Sequence, residues 1–496
     1  MISSHFRRGV AVRAPRLGNV SEVVLGTLAL ALVVASLSSG GMNADGLRWS
    51  LILIAGAALL YWIATPAREL APPVPSLPST LSQVLAGLLA LQIFPLPLFL
   101  IRLLSDARAQ LFEPLMHVMP VGCCASMSLA PFLSLLHIAR LLAWVSVLLL
   151  VRELVWRLKS RRWLAVAPIL GLGAFQAVLG CIQYAADPAN SVARGTYLNR
   201  NHFAGFLEMC LPFAVLYTWE IIRRHYRRRE PFPAGAALRL CGMLALTGAI
   251  LIASLRSLSR MGALSMLISL LLMSALAMRS RWSRISFPKA SLILLALGVT
   301  SILLLAPERL FQRFNTSAPA DAPGVYDVRQ LIWRDTLRMV ADYPISGVGF
   351  GAFASAFPRY QRVTPNQAVE YAHNDYLQWL AELGVPGLLV MVALLVLLFA
   401  EAWRAALPRE GGDPGARRLA LACTGALAAL LVHSFGDYNL YVPANAMTFA
   451  WIVGLATGID PRVRFSLPGG GRFSAFASPP ADRRAATTII YPSSTV

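Results

Sequence analysis

Apolar residues gather in blocks of near-spanning length at about 21–38, 47–64, 82–101, 129–151, 163–182, 203–222, 237–255, 261–278, 290–306, 384–402, 418–434 and 444–459. A hydrocarbon core about 30 Å thick is crossed by about 20 helical residues, so each block predicts one span. Inside lipid the backbone must satisfy its own hydrogen bonds, which selects helices over isolated strands. The pattern therefore predicts an all-α polytopic membrane protein with about 12 transmembrane helices. Pro95 and Pro97 in the third block predict a kinked or broken helix there. Four parts follow: a basic N-terminus over 1–19, spans one to four over 20–160, a membrane domain over 161–460, and a tail over 461–496. The tail is rich in Gly, Pro, Ser and Ala and is expected to be disordered. The first block follows Arg7, Arg8, Arg13 and Arg16 without an evident processing site, and reads as an uncleaved span.

Composition narrows the class further. Of 496 residues, 57% are hydrophobic and 14% charged, whereas soluble domains carry about 25% charged residues. A string of soluble domains is excluded. The net charge of +20 raises nucleic acid as a partner, and the positions of the cations answer it. They cluster in alternate loops: Arg68, then 152–162, 223–229, 279–289, 404–418 and the tail. That bias predicts cytoplasmic loops and both termini in the cytoplasm, and leaves no role for nucleic acid. Since 42 of the 44 cations are Arg, Arg is the default cation here. The six cysteines, Cys123, Cys124, Cys181, Cys210, Cys241 and Cys423, show no metal-ligand spacing.

One outer loop is long, 307–383. Within it Val328 to Val340 puts Leu331, Ile332, Leu337 and Val340 near one helical face, predicting an amphipathic helix on the membrane surface or over a cavity. Its cations, Arg334 among them, read equally as a solvated face. Gly347 to Gly351 predicts a flexible turn.

Four outward stretches carry candidate chemistry: Arg194 to Gly205, Arg256 to Gly262, Tyr371 to Tyr376, and His433 to Asn439. Arg offers a planar, permanent charge that matches phosphate oxygens. Arg194, Arg200, Arg256 and Arg260 at the outer face suit a lipid-linked pyrophosphate whose departing charge they would stabilise. His373 has a side chain suited to taking a hydroxyl proton near neutral pH. Asp375 and Asp437 are isolated and no Asp-x-Asp appears, which disfavours a magnesium-dependent transferase, so no metal or cofactor is expected. Each residue also has a plainer reading. Arg260 can snorkel, Arg194 and Arg200 can be loop cations, and His373 can pack or cap. Asn374 can cap the following helix or orient His373. His202 reads more as packing than as chemistry, and His433 with Asp437 as a structural hydrogen-bonded pair. His137 and Arg140 lie inside the fourth block, where ionisable groups need a reason.

His373-Asn374, nine residues, Gly384, two residues, Gly387 resembles the ligase pattern of the O-antigen ligase and polymerase superfamily. Ser257-Leu-Ser-Arg260-Met-Gly262 is similar to that family's Ser-Arg-Gly type of turn, and the stretches around His202 and His433 also resemble it, over roughly 165–460. Arg194, ten residues, Gly205 resembles a polymerase spacing instead. The resemblance implies metal-independent, inverting transfer of a glycan from undecaprenyl pyrophosphate to an acceptor hydroxyl at the periplasmic face of the bacterial inner membrane. It implies His373 as base or positioning residue, Arg260 as a pyrophosphate ligand and Arg194 or Arg200 as the second. Arg256, Asn374, Arg334, His433 and Asp437 would contact substrate. Implied partners are the lipid-linked oligosaccharide donor, a lipid A-core or other glycan acceptor, membrane lipids and polysaccharide-assembly proteins. A polymerase extending the same lipid-linked chain, and a small-solute transporter of the bicarbonate-carrier kind, are the rival readings.

Overall fold

A computed structural model describes residues 19–66, 70–118, 124–187, 192–226, 233–278, 328–362, 368–408 and 412–459. Its helices are α1 (Asn19–Leu37), α2 (Ala44–Ala64), α3 (Ser76–Ile93), α4 (Leu98–Leu104), α5 (Asp106–Val118), α6 (Pro131–Leu158), α7 (Ala167–Ala186) and α8 (Arg200–Tyr226). After them come α9 (Ala234–Arg256), α10 (Arg260–Met278), α11 (Val328–Asp342), α12 (Asp375–Ala406), α13 (Pro414–His433) and α14 (Pro443–Ile459). Among the described residues, ten helices are long and apolar enough to span a bilayer, and α14 is a shorter apolar helix. The protein is thus an all-α polytopic membrane protein. The block at 290–306, the N-terminal arm, residues 307–327 of the long loop and the tail lie outside the described residues.

The bundle is built around α8 and α13, each buried on nearly every side. Small residues make the close approaches possible. Gly454 and Gly458 of α14 sit over α6, where an added Cβ would come within 2.6 Å of the Leu148 and Arg152 carbonyls. Such small-xxx-small faces let two membrane helices pack backbone to backbone. Gly425 of α13 does the same against Met273 of α10, and the Ser269 hydroxyl bonds the Gly425 carbonyl at 2.8 Å.

Three elements differ from the sequence expectation. The third span runs 76–93, not 82–101, because the chain breaks ahead of Pro95. Leu96 and Pro97 then pair antiparallel with Ala125 and Cys124, and α4 and α5 follow as separate short helices. Next, α12 starts at Asp375, well before the apolar block at 384, since its first turns bury polar side chains. Third, the buried stripe of α11 is Ile332, Asp335, Thr336 and Met339, while Leu337 is exposed. Hydropathy misassigned Leu337 because Asp335 and Thr336 turn inward, Asp335 accepting from Arg338 and from the Arg362 amide. A separate apolar core of Ile332, Met339, Tyr343, Phe353 and Phe357 holds this segment together.

Candidate functional site

The site begins with a deliberate fault in α12. At Gly384 the backbone takes φ 68°, ψ −176°, splitting the helix into a half-helix of residues 375–383 and a long span. A Cβ there would lie 2.3 Å from the Ile345 carbonyl oxygen, so glycine is required. The break removes intrahelical partners from nearby carbonyls, and the turn 347–351 replaces them. The Val348 amide donates to the Ala381 carbonyl at 2.9 Å and the Gly349 amide to that of Glu382 at 3.0 Å. Gln92 of α3 locks the joint: its Nε2 donates to the Ser346 and Glu382 carbonyls at 2.7 and 2.8 Å, and its Oε1 accepts from the Phe350 amide at 3.0 Å. Gly351 (φ 79°) lies against the His137 ring, with 2.1 Å between an added Cβ and Nδ1. The turn expected to be flexible is a tied segment.

The half-helix aims the residue that precedes it. The Asn374 side chain accepts from the Leu377 amide at 3.0 Å and caps α12. His373 stands just outside, in the left-handed region at φ 52°, a conformation that costs a non-glycine residue energy. The Ser257–Arg260 turn is built the same way. Leu258 is left-handed at φ 57°. Ser259 caps α10 through the Gly262 amide at 3.2 Å, which sets Arg260 in the first turn of α10. Arg200 likewise opens α8, with Asn199 accepting from the Asn201 amide at 2.9 Å. Two guanidiniums thus stand at the positive ends of two helices, where an anion is favoured.

The 434–442 loop gathers these parts. Gly436 packs against Met261, with 2.5 Å from an added Cβ to Met261 Cγ; Gly205 packs against Asn439 and Gly262 against Ala204. The Asp375 amide donates to the Ser434 carbonyl at 2.9 Å. At the centre is Asp437, wholly buried. His373 Nδ1 is 3.1 Å from its Oδ1, His202 Nε2 is 3.4 Å from the same oxygen, and Arg329 lies 3.3 Å from Oδ2. Burial by itself would raise the Asp437 carboxyl; the His202 ring, with His373 and Arg329, outweighs that and holds it well below the usual carboxylate range. Tyr438 makes the floor: Tyr371 stacks on it at 4.1 Å, and the rings of His202 and His373 meet it edge-on at 4.5 and 4.9 Å. Burial pushes the Tyr371 phenol up to about 12, so it keeps its proton at neutral pH.

The structure therefore brings His373, Asn374, Arg260, Arg200 and Asp437 to one end of the bundle, around a common loop. Arg194 is exposed beside them, on the loop whose Ala193 amide bonds the Arg256 carbonyl at 3.1 Å. The Arg256 guanidinium sits 4.7 Å over the Tyr184 ring and donates to its hydroxyl at 2.9 Å. Arg334 stands on the exposed face of α11. The expected His433–Asp437 pair does not form. α13 turns His433 into the bundle, 3.1 Å from both Glu208 oxygens, while Asp437, four residues on, faces His202 and His373. Arg329, read with its neighbours as a solvated cation, instead grips Asp437 and the Gly436 carbonyl. Arg140, whose place in the fourth block was open, lies beside His137 at 3.4 Å and near Tyr371. The roles of Arg329, Glu208, Tyr371 and Tyr438 escaped the sequence reading because their partners lie far along the chain; the only signal was position, in an outward stretch for the tyrosines, on a span for Glu208 and in the amphipathic loop segment for Arg329.

Residues 242–392 match the family model described as O-antigen ligase. No curated protein matches the chain. The matched segment carries Arg256, Arg260, His373, Asn374 and Gly384, the residues of the two strained turns and the split helix. Over that segment the chain is similar to the O-antigen ligase family.

Proposed function

We propose that this protein transfers a glycan from undecaprenyl pyrophosphate to an acceptor sugar hydroxyl, as an O-antigen ligase does, at the periplasmic face of the inner membrane. The observation that carries this reading is the hydrogen bond of His373 to a buried Asp437 that stays ionised. An ionised Asp437 keeps the proton of His373 on Nδ1, which leaves Nε2 as the acceptor for a hydroxyl proton. As the hydroxyl oxygen bonds to the anomeric carbon, the bond from that carbon to the pyrophosphate breaks. The proton passes to His373, and the pyrophosphate leaves with the bonding electrons toward Arg260 and Arg200 or Arg194. Arginines placed there stabilise the extra charge that grows on the departing pyrophosphate more than the smaller charge of the ground state. The acceptor is a lipid A-core sugar or another glycan end, which places the protein in lipopolysaccharide or exopolysaccharide biosynthesis.

In reconstituted membranes His373→Ala and Arg260→Ala are each expected to abolish transfer while the protein is still made and inserted. Wild-type turnover by either variant ends the assignment. The Arg194–Gly205 spacing supports the polymerase alternative, and donor alone separates the two. A polymerase lengthens its lipid-linked glycan, and a ligase waits for the acceptor.

A further inference from the structure

The opposite end of the bundle holds a second polar construction. α8 runs from the candidate site to its far end, and His202 to Glu220 is about 27 Å of helix, close to the thickness of a hydrocarbon core. There a cavity of about 440 Å³ opens between the 159–163 turn, the end of α8 and the start of α13. Its cations are Lys159, Arg162, Arg223, Arg224 and Arg418; its carboxylates are Glu220 and Asp413. Five positive groups share two negative ones. Glu220 is divided between Arg224, at 2.8 Å, and Arg418. Asp413 is divided between Arg162 and the Gly415 amide, both at 2.8 Å. The first turn of α13, Pro414 to Ala416, forms one wall and adds the positive end of a 20-residue helix. Two buried donors on lining residues, the Arg162 Nε–H and the Trp163 indole N–H, meet no acceptor among the described residues.

Topology accounts for cations near this end of the helices. It does not account for their arrangement around a hollow with buried donors beside it. Arg161 makes the contrast: it is a cation of the same turn that does not line the cavity. We propose that this cavity binds a phosphate group, supplied by an anionic phospholipid of the adjoining leaflet or by free phosphate. Guanidinium forks, an ammonium and a helix N-terminus together match a tetrahedral oxyanion. The proposal is independent of glycan transfer.

The test uses the full chain purified in neutral detergent. In one arm phosphatidylglycerol is titrated against phosphatidylcholine by native mass spectrometry; in the other, inorganic phosphate is titrated by thermal unfolding. Phosphatidylglycerol is expected to bind in preference to phosphatidylcholine, and Arg162→Gln/Arg224→Gln to weaken it about tenfold or more, the worth of losing a strong charge-assisted bond. Arg161→Gln is expected to leave binding unchanged. Asp413→Asn keeps the helix cap, removes one negative charge and is expected to tighten binding severalfold. A lipid preference without a phosphate effect assigns the site to a headgroup; a phosphate-induced rise in unfolding temperature, lost in the double variant, assigns it to the free ion. Equal retention of both lipids with no phosphate effect overturns the proposal, as does Arg161→Gln weakening binding as much as the pair. If the double variant fails to fold, an Asp413→Asn protein that binds no more tightly than wild type overturns it alone.

Discussion

A carboxylate buried between two imidazoles and a guanidinium keeps its charge at pH values where an exposed one would lose it. Asp437 is such a group, and its lowered pKa fixes the direction of a stability effect. A depressed carboxylate stabilises the fold above its unfolded pKa, about 3.9, and that contribution fades as pH falls toward the folded value. The stability gap between wild type and Asp437→Asn, followed by thermal unfolding, is therefore expected to be constant above about pH 5 and to narrow below about pH 4. A gap that widens on acidification would contradict the arrangement. At this scale the sequence was half legible. His373 and Arg260 announced themselves by motif, whereas Asp437 looked isolated because its partners stand 64, 108 and 235 positions away in the chain. Spacing reports neighbours on one helix, not groups joined through a loop.

Helix ends and breaks carry the next level of information. The Asn374 side chain caps the first turn of α12, and Asn374→Ala is expected to cost about 1 kcal/mol in thermal unfolding, with Asn374→Asp retaining most of it. Gly384→Ala is expected to cost more, at least about 2 kcal/mol, because it combines a left-handed backbone with a contact on the Ile345 carbonyl. A Gly384→Ala protein of unchanged stability would mean that the split helix is not as described. The apolar block at 384–402 marked the long half of α12 and missed the short half, since Gln378 and Glu382 turn inward to bond each other and Tyr441. Polar residues read as loop when their partners are hidden. The amphipathic reading of α11 was misled at Leu337 by the same cause.

Across the molecule, blocks of apolar sequence located most spans to within a few residues, because a bilayer demands length and hydropathy and little else. Leu198, exposed near Arg200, and Gly412, exposed ahead of α13, are placed at opposite ends of the bundle. Single cysteines at those positions in an otherwise cysteine-free chain are expected to react with an impermeant maleimide from opposite sides of the membrane. Labelling of both from one side would refute the spanning arrangement. Gln92 has a last consequence. It belongs to α3, outside the segment 242–392, yet its side chain helps bolt the split helix to the 346–350 turn, just as His202 and Asp437 complete the site from beyond that segment. The matched stretch is therefore no portable cassette: spliced into a foreign set of spans, it would bring its arginine and imidazole but leave behind the brace and the counter-charge that aim them.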